Sequence, residues 1–75
     1  MVNNINYKIE DSFPMLGNED VYENVISHVE KILIERALER SDGNQLMAAK
    51  MLGLNRNTLH KKVKKLNIDI EKFKR

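Results

Sequence analysis

The chain has 75 residues, of which 41% are hydrophobic and 32% charged, with no cysteine and a net charge of +2. That length allows one small domain, and the lack of cysteine excludes disulfides and thiolate metal sites. A domain this small buries a limited share of its surface, so with those staples excluded, self-association is the expected stabiliser.

His28 and His60 lie far apart and have no companion ligands at metal-binding spacing, so no metal and no cofactor is expected. The N-terminus, MVNNINYKIEDS, lacks the apolar core of a signal peptide. No run approaches the roughly 18 apolar residues of a membrane helix. A soluble cytoplasmic protein is expected, with no membrane contact and no small-molecule substrate. The small net charge conceals an asymmetry. Residues 1–42 hold four Lys/Arg against nine Asp/Glu, whereas residues 43–75 hold nine against two. Only the C-terminal half is suited to a polyanion.

Residues 1–20 are weakly patterned, with Asn3, Asn4 and Asn6 crowded early and Pro14 and Gly17 later. Ile5, Tyr7 and Ile9 alternate as in a short strand. An N-terminal arm or linker is the favoured reading, because termini without periodicity are usually loose.

Residues 21–40 predict a long helix, with Asp20 as its cap and Glu23 three residues later as in a capping box. At about 100° per residue, Val21, Tyr22, Val25, Ile26, Val29, Ile32, Leu33 and Ala37 fill an arc of about 160°. Ile34 and Leu38 widen it near the C-terminal end. So broad an arc predicts two partners, the downstream helices and either residues 1–20 or a second copy of this helix, the copy being favoured because residues 1–20 offer little regular apolar surface. The first seven residues named on the arc are the candidate dimerisation face. A three-helix monomer with a wide core helix is the competing arrangement. His28 is expected on the surface or at the interface.

Ser41, Asp42 and Gly43 stop the helix, and Gly43 suits the positive φ that follows a helix end. Asn44 caps a second helix over 44–52, where Ala48 and Ala49 permit close approach and Leu52 faces inward. Gly53 ends it, and Leu54 plugs the turn. Asn55 caps a third helix by reaching the N–H near Thr58. That helix spans 56–66. Asn67 suits a left-handed cap, with Ile68 folding back after it. Residues 69–75 form a charged tail that is expected to fray.

On the third helix, Leu59, Val63 and Leu66 share a core stripe. Opposite and beside it lie Arg56, Asn57, Thr58, His60, Lys61, Lys64 and Lys65. No Asp or Glu occurs between Gly43 and Ile68, whereas a merely solvated helix mixes signs. Two short helices around a tight turn, the second basic, form a helix-turn-helix whose second helix enters the major groove. Arg56, Asn57, Thr58, His60 and Lys61 are therefore the candidate base readers, since Arg matches guanine and Asn adenine. Lys62, Lys64 and Lys65 are placed for phosphates. So are Asn44, Gln45 and Lys50 on the bracing helix, whose N-terminal end is positive.

Residues 21–68 resemble the Fis-type DNA-binding domain, shared by the nucleoid protein Fis and the C-terminal domains of NtrC-like, sigma-54-dependent activators. The resemblance rests on GNQ at 43–45, AAKMLGLNRNTLHKKVKKL at 48–66 and Asn67-Ile68. It implies an all-α fold, with a long dimerisation helix followed by a helix-turn-helix in a homodimeric bundle. It implies transcription regulation or DNA bending at the nucleoid, and sigma-54 RNA polymerase as a partner through a parent activator. Asn55, Arg56, Thr58, Lys61 and Lys62 match DNA-contacting positions of the family, as do Gly43, Asn44 and Gln45. His60 stands where Fis has a base-reading arginine and is a shorter donor. Leu46 replaces a threonine that holds phosphate. Residues 1–20 do not resemble the helix and hairpin arms of Fis, which favours the DNA-binding domain of an activator, or a compact Fis relative.

Other function classes fit less well. A protein-interaction module with a basic docking helix would need no duplex. Base-stacking RNA recognition lacks aromatic residues in the basic helix. An enzyme would need a carboxylate pair, a nucleophile with its base, or a metal cluster. The phosphate loop G-x-x-x-x-G-K-[ST] is absent from the sequence.

Overall fold

The computed structural model describes residue 9 and residues 20–75. The expected arm or linker over 1–20, and the alternating Ile5-Tyr7-Ile9, fall outside the described residues except at Ile9, which is helical and half-buried, and Asp20. The chain divides into two compact units, Met1–Glu30 and Lys31–Arg75. Among the described residues, the elements with full bounds are α1 (Val21–Arg40), α2 (Gln45–Leu52) and α3 (Arg56–Lys65), followed by a 3-10 turn at Ile70–Phe73. There is no strand among the described residues, so the fold is all-α as expected.

In the first unit, α1 starts at Val21 with the Asn24 N–H donating to the Asp20 carbonyl at 2.9 Å. Val21 is buried, Val25 and Val29 are half-buried, and Tyr22 and Ile26 are exposed.

In the second unit, the core consists of Ile34, Ala37, Leu38, Ala48, Ala49, Leu59, Val63 and Ile68. Leu52, Leu54, Leu66, Ile70 and Phe73 pack against it. Ile34, Ala37 and Leu38 follow helical i, i+3, i+4 spacing, which puts them on one face of α1. The sequence reading set Ile34 and Leu38 at the margin of the apolar arc. The structure makes them the centre of the core, at 2% and 0% exposure, while Leu33 stands 51% exposed. Each such buried Leu or Ile contributes about 1.5–3 kcal/mol. Periodicity orders the residues around the helix but does not say which part of a broad arc meets the rest of the chain.

All three helices end by the same device. A residue with left-handed φ follows the helix, and the next N–H reaches back five residues. Asp42 (φ 55), Gly53 (φ 70) and Asn67 (φ 58) take the left-handed position. The returning bonds are Gly43 to the Leu38 carbonyl, Leu54 to Ala49 and Ile68 to Val63, at 2.8, 2.9 and 3.0 Å. At the end of α1, Asp42 takes the position assigned to Gly43, and Gly43 follows with a positive φ of its own, 82°. Ser41 is buried, with its hydroxyl donating to the Leu38 carbonyl.

Asn44 caps α2 by accepting from the Met47 N–H at 3.1 Å. Asn55 caps α3 as expected, its side-chain Oδ1 accepting from the N–H of Asn57, next to Thr58, at 2.8 Å. Residues 69–75 do not run off as a frayed tail. Asp69 accepts from the Glu71 N–H, and Ile70 and Phe73 turn inward onto the core.

Candidate nucleic-acid interface

The face begins with the packing of α2 on α3. Ala48 and Ala49 are buried to 0% and 1% exposure. With only a methyl group at each position, the two helices approach closely over Leu59 and Val63. Those two, with half-buried Leu66, form the inward stripe predicted for α3. The opposite side of α3 is thereby turned outward.

On that side Arg56, Asn57, Thr58, His60, Lys61, Lys64 and Lys65 are all exposed, and Lys62 is half-buried. Asn55 is exposed, but its carbonyl oxygen is committed to the Asn57 N–H, which leaves its amide nitrogen for an outside partner. Three lysines in the last turn of α3 suit the negative end of its dipole. They also concentrate positive charge at one end of the helix.

The bracing helix contributes unevenly. Asn44 is exposed, though its carbonyl oxygen serves the cap. Gln45 is half-buried, and its Oε1 lies 3.3 Å from Nδ1 of His60. Lys50 is exposed on α2, and Leu46 stands 50% exposed where a phosphate-holding side chain was expected to be lost. Gly43 sits beside the face, where it helps line a groove with Asn44, Gln45 and Arg56. It is buried, and its N–H is already bonded to the Leu38 carbonyl.

A groove opens beside this face, lined by Asp42, Gly43, Asn44, Gln45, Leu46, Arg56, Lys74 and Arg75. Lys74 and Arg75 were not singled out from the sequence. Arg75 Nε pairs with Asp42 Oδ1 at 3.2 Å, and Lys74 Nζ pairs with Glu71 Oε2 at 3.1 Å. Both pairs are solvent-exposed, which makes them weak and exchangeable. One 3-10 turn brings Ile70 and Phe73 onto the core and carries the last two cations back with it, a turn too short to leave a signal in the sequence.

The candidate dimerisation residues are not uniformly available. Tyr22, Ile26 and Leu33 are exposed at 74%, 41% and 51%, Val25, Val29 and Ile32 are half-buried, and Val21 is buried. Among the described residues, no cluster of His, Cys, Asp or Glu could hold a metal ion, and no helix is long and apolar enough to cross a membrane.

Comparison with known proteins places this geometry. The family described as bacterial regulatory protein, Fis family, matches residues 25–66. The chain is similar to the DNA-binding transcriptional regulator NtrC of Azospirillum brasilense, 44% identical over 61 residues, covering 81% of this chain and 12% of that protein. NtrC of Rhizobium meliloti is 42% identical over 65 residues, covering 87% and 13%. The DNA-binding protein Fis of Proteus mirabilis is 39% identical over 64 residues, covering 81% and 65%. The chain thus spans about an eighth of the NtrC proteins and just under two thirds of Fis. No solved structure matches it.

Proposed function

The chain belongs to the Fis family of bacterial regulatory proteins and carries its DNA-binding helix-turn-helix, and on that premise we propose that it binds double-stranded DNA with sequence preference to regulate transcription. The helix that enters the major groove is α3, together with its cap residue Leu66. Asn55, Arg56, Asn57, Thr58, His60 and Lys61 meet base edges. Asn44, Gln45, Lys50, Lys62, Lys64 and Lys65 meet phosphates. The observation that carries this reading is the outward face of α3, which is basic, exposed and without a carboxylate from Gly43 to Ile68.

The binding unit is a homodimer joined through the apolar face of α1. The exposure of Tyr22, Ile26 and Leu33 on a long helix supports this, because such side chains gain from a second apolar surface. A two-fold unit reads a partly palindromic site, with half-sites about one helical turn apart or closer. The setting is the DNA-binding domain of an NtrC-like activator that works with sigma-54 RNA polymerase. The 44% and 42% identities to NtrC support that setting. A stand-alone Fis-like protein is the second reading, favoured by the 65% coverage of Fis.

The test is binding to a pool of random-sequence duplexes, with stoichiometry, salt dependence and selected sites as readouts. Two chains per duplex, steep weakening with salt and an enriched two-fold sequence are expected. One chain per duplex with no enriched sequence would overturn the reading. The mass of the native polypeptide in its cell separates the activator from the stand-alone protein.

A further inference from the structure

We propose that Gln45 and His60 act as one base-reading unit, in which Gln45 holds the His60 proton on Nδ1 and Nε2 is presented to the exocyclic amino group of adenine or cytosine. The inference rests on the reading of α3 as the helix that meets DNA and adds what one of its positions selects.

Gln45 opens α2, and His60 lies fifteen residues later, in the middle of α3. Gln45 Oε1 stands 3.3 Å from His60 Nδ1. With the amide turned so that its oxygen faces the ring, a hydrogen bond there requires the N–H on Nδ1, and this orientation is the premise that the ring-nitrogen shifts test. A neutral imidazole carries a single N–H, and the bond made by one nitrogen decides the role of the other. With Nδ1–H spent on Gln45, Nε2 is a bare acceptor. Gln45 is half-buried, so less of its side-chain freedom remains to be lost in holding the ring. His60 is exposed on the same outward face as Arg56 and Lys61.

The consequence for recognition follows from the edges of the bases. In the major groove adenine offers the N6 amino group and cytosine the N4 amino group, whereas guanine offers only acceptors and thymine an acceptor and a methyl. An acceptor at Nε2 is therefore satisfied by adenine or cytosine. Guanine would set its acceptor atoms against the lone pair. Gln45 is a positioning residue in this scheme, and His60 makes the contact.

Two readouts separate the parts of the proposal. Ring-nitrogen NMR shifts of His60, taken on the free protein at about pH 8.5, where an ordinary imidazole is neutral, should report mainly Nδ1–H. Gln45→Met should return the ring to the Nε2–H form that unconstrained histidine favours. On duplexes selected from a random pool, one fixed position of each half-site should require an exocyclic amino group, so that replacing its adenine by purine, or its cytosine by the analogue lacking N4, weakens wild-type binding. That preference should fall roughly three- to tenfold in Gln45→Met, the size of one lost hydrogen bond, and His60→Ala should lose it as well. A wild-type ring carrying Nε2–H, or no amino group whose removal is felt by the wild type and not by His60→Ala, overturns the pairing while leaving duplex binding in place. Failure of the wild-type protein to bind any duplex overturns the underlying reading, and with it the recognition role assigned here.

Discussion

Lys74 lies across Gly43, so that a Cβ on the glycine would stand 2.6 Å from the lysine Cγ and 3.1 Å from its backbone nitrogen. The last residues of the chain thus close over the bend between α1 and α2. Gly53, the other left-handed glycine, has nothing within 4 Å of the same position. Two alanine substitutions with similar backbone strain therefore differ in crowding. Gly53→Ala should cost about 1–2 kcal/mol from φ alone. Gly43→Ala should cost about 1–3 kcal/mol more, as overpacking does. Urea midpoints measure the difference, and equal midpoints would remove the contact from the account.

Leu38 and Leu33 sit on one helix and should respond oppositely to truncation. Leu38 is fully buried, so Leu38→Ala should destabilise the fold by about 2–5 kcal/mol at any protein concentration. Leu33 is half exposed, and Leu33→Ala should change the stability of dilute protein by only about 0.5 kcal/mol. Its effect should appear instead as weaker self-association at high concentration. Sedimentation velocity, run beside unfolding curves, checks both. Unaltered association in Leu33→Ala would argue against the α1 face as the dimer contact.

Local chemistry made the helix-turn-helix legible. Asn44, Asn55 and Asn67 each sit where their short side chains or tolerance of positive φ serve a helix end, and Ala48, Ala49, Leu59 and Val63 occupy the positions their size and spacing predict. Contacts between residues distant in sequence were not legible. Nothing local to Arg75 points to Asp42, and nothing local to Gln45 points to His60. The charged composition of 69–75 concealed Ile70 and Phe73, because a single 3-10 turn is too short to show a period. On α1, apolar residues occupy both the core face and its neighbour, so the sequence could not say that Ile34 and Leu38 lie at the centre. Gly43 was expected at a phosphate from the family resemblance alone, and that resemblance carries no sign of the bond its N–H makes to the Leu38 carbonyl.

The shared ending of the helices makes a prediction at Asn67, whose φ is 58. Left-handed backbone is least unfavourable for Gly, tolerable for Asn and strained for other residues. Asn67→Ala should therefore destabilise by about 1 kcal/mol, and Asn67→Gly should be neutral or stabilising by up to about 1 kcal/mol. Thermal melts of the three proteins test the order. A glycine variant less stable than the alanine variant would mean that the asparagine side chain, not its φ, holds the turn.

Arg56 and Lys64 should fail in different ways if α3 reads DNA as proposed. Arg56 stands at the first turn of the helix and also lines the groove with Asn44 and Gln45. Its fork can grip guanine with two bonds, so Arg56→Ala should lose about 1–3 kcal/mol of discrimination at one base pair. Lys64 lies two turns later and offers a point charge to a phosphate. Lys64→Ala should weaken every duplex alike and lower the salt slope by about one per chain. Titrations of a selected site and a scrambled site, each across a salt series, resolve the two behaviours. If both variants lose the same affinity on both duplexes, the division of labour along α3 is wrong, even though the helix still binds DNA.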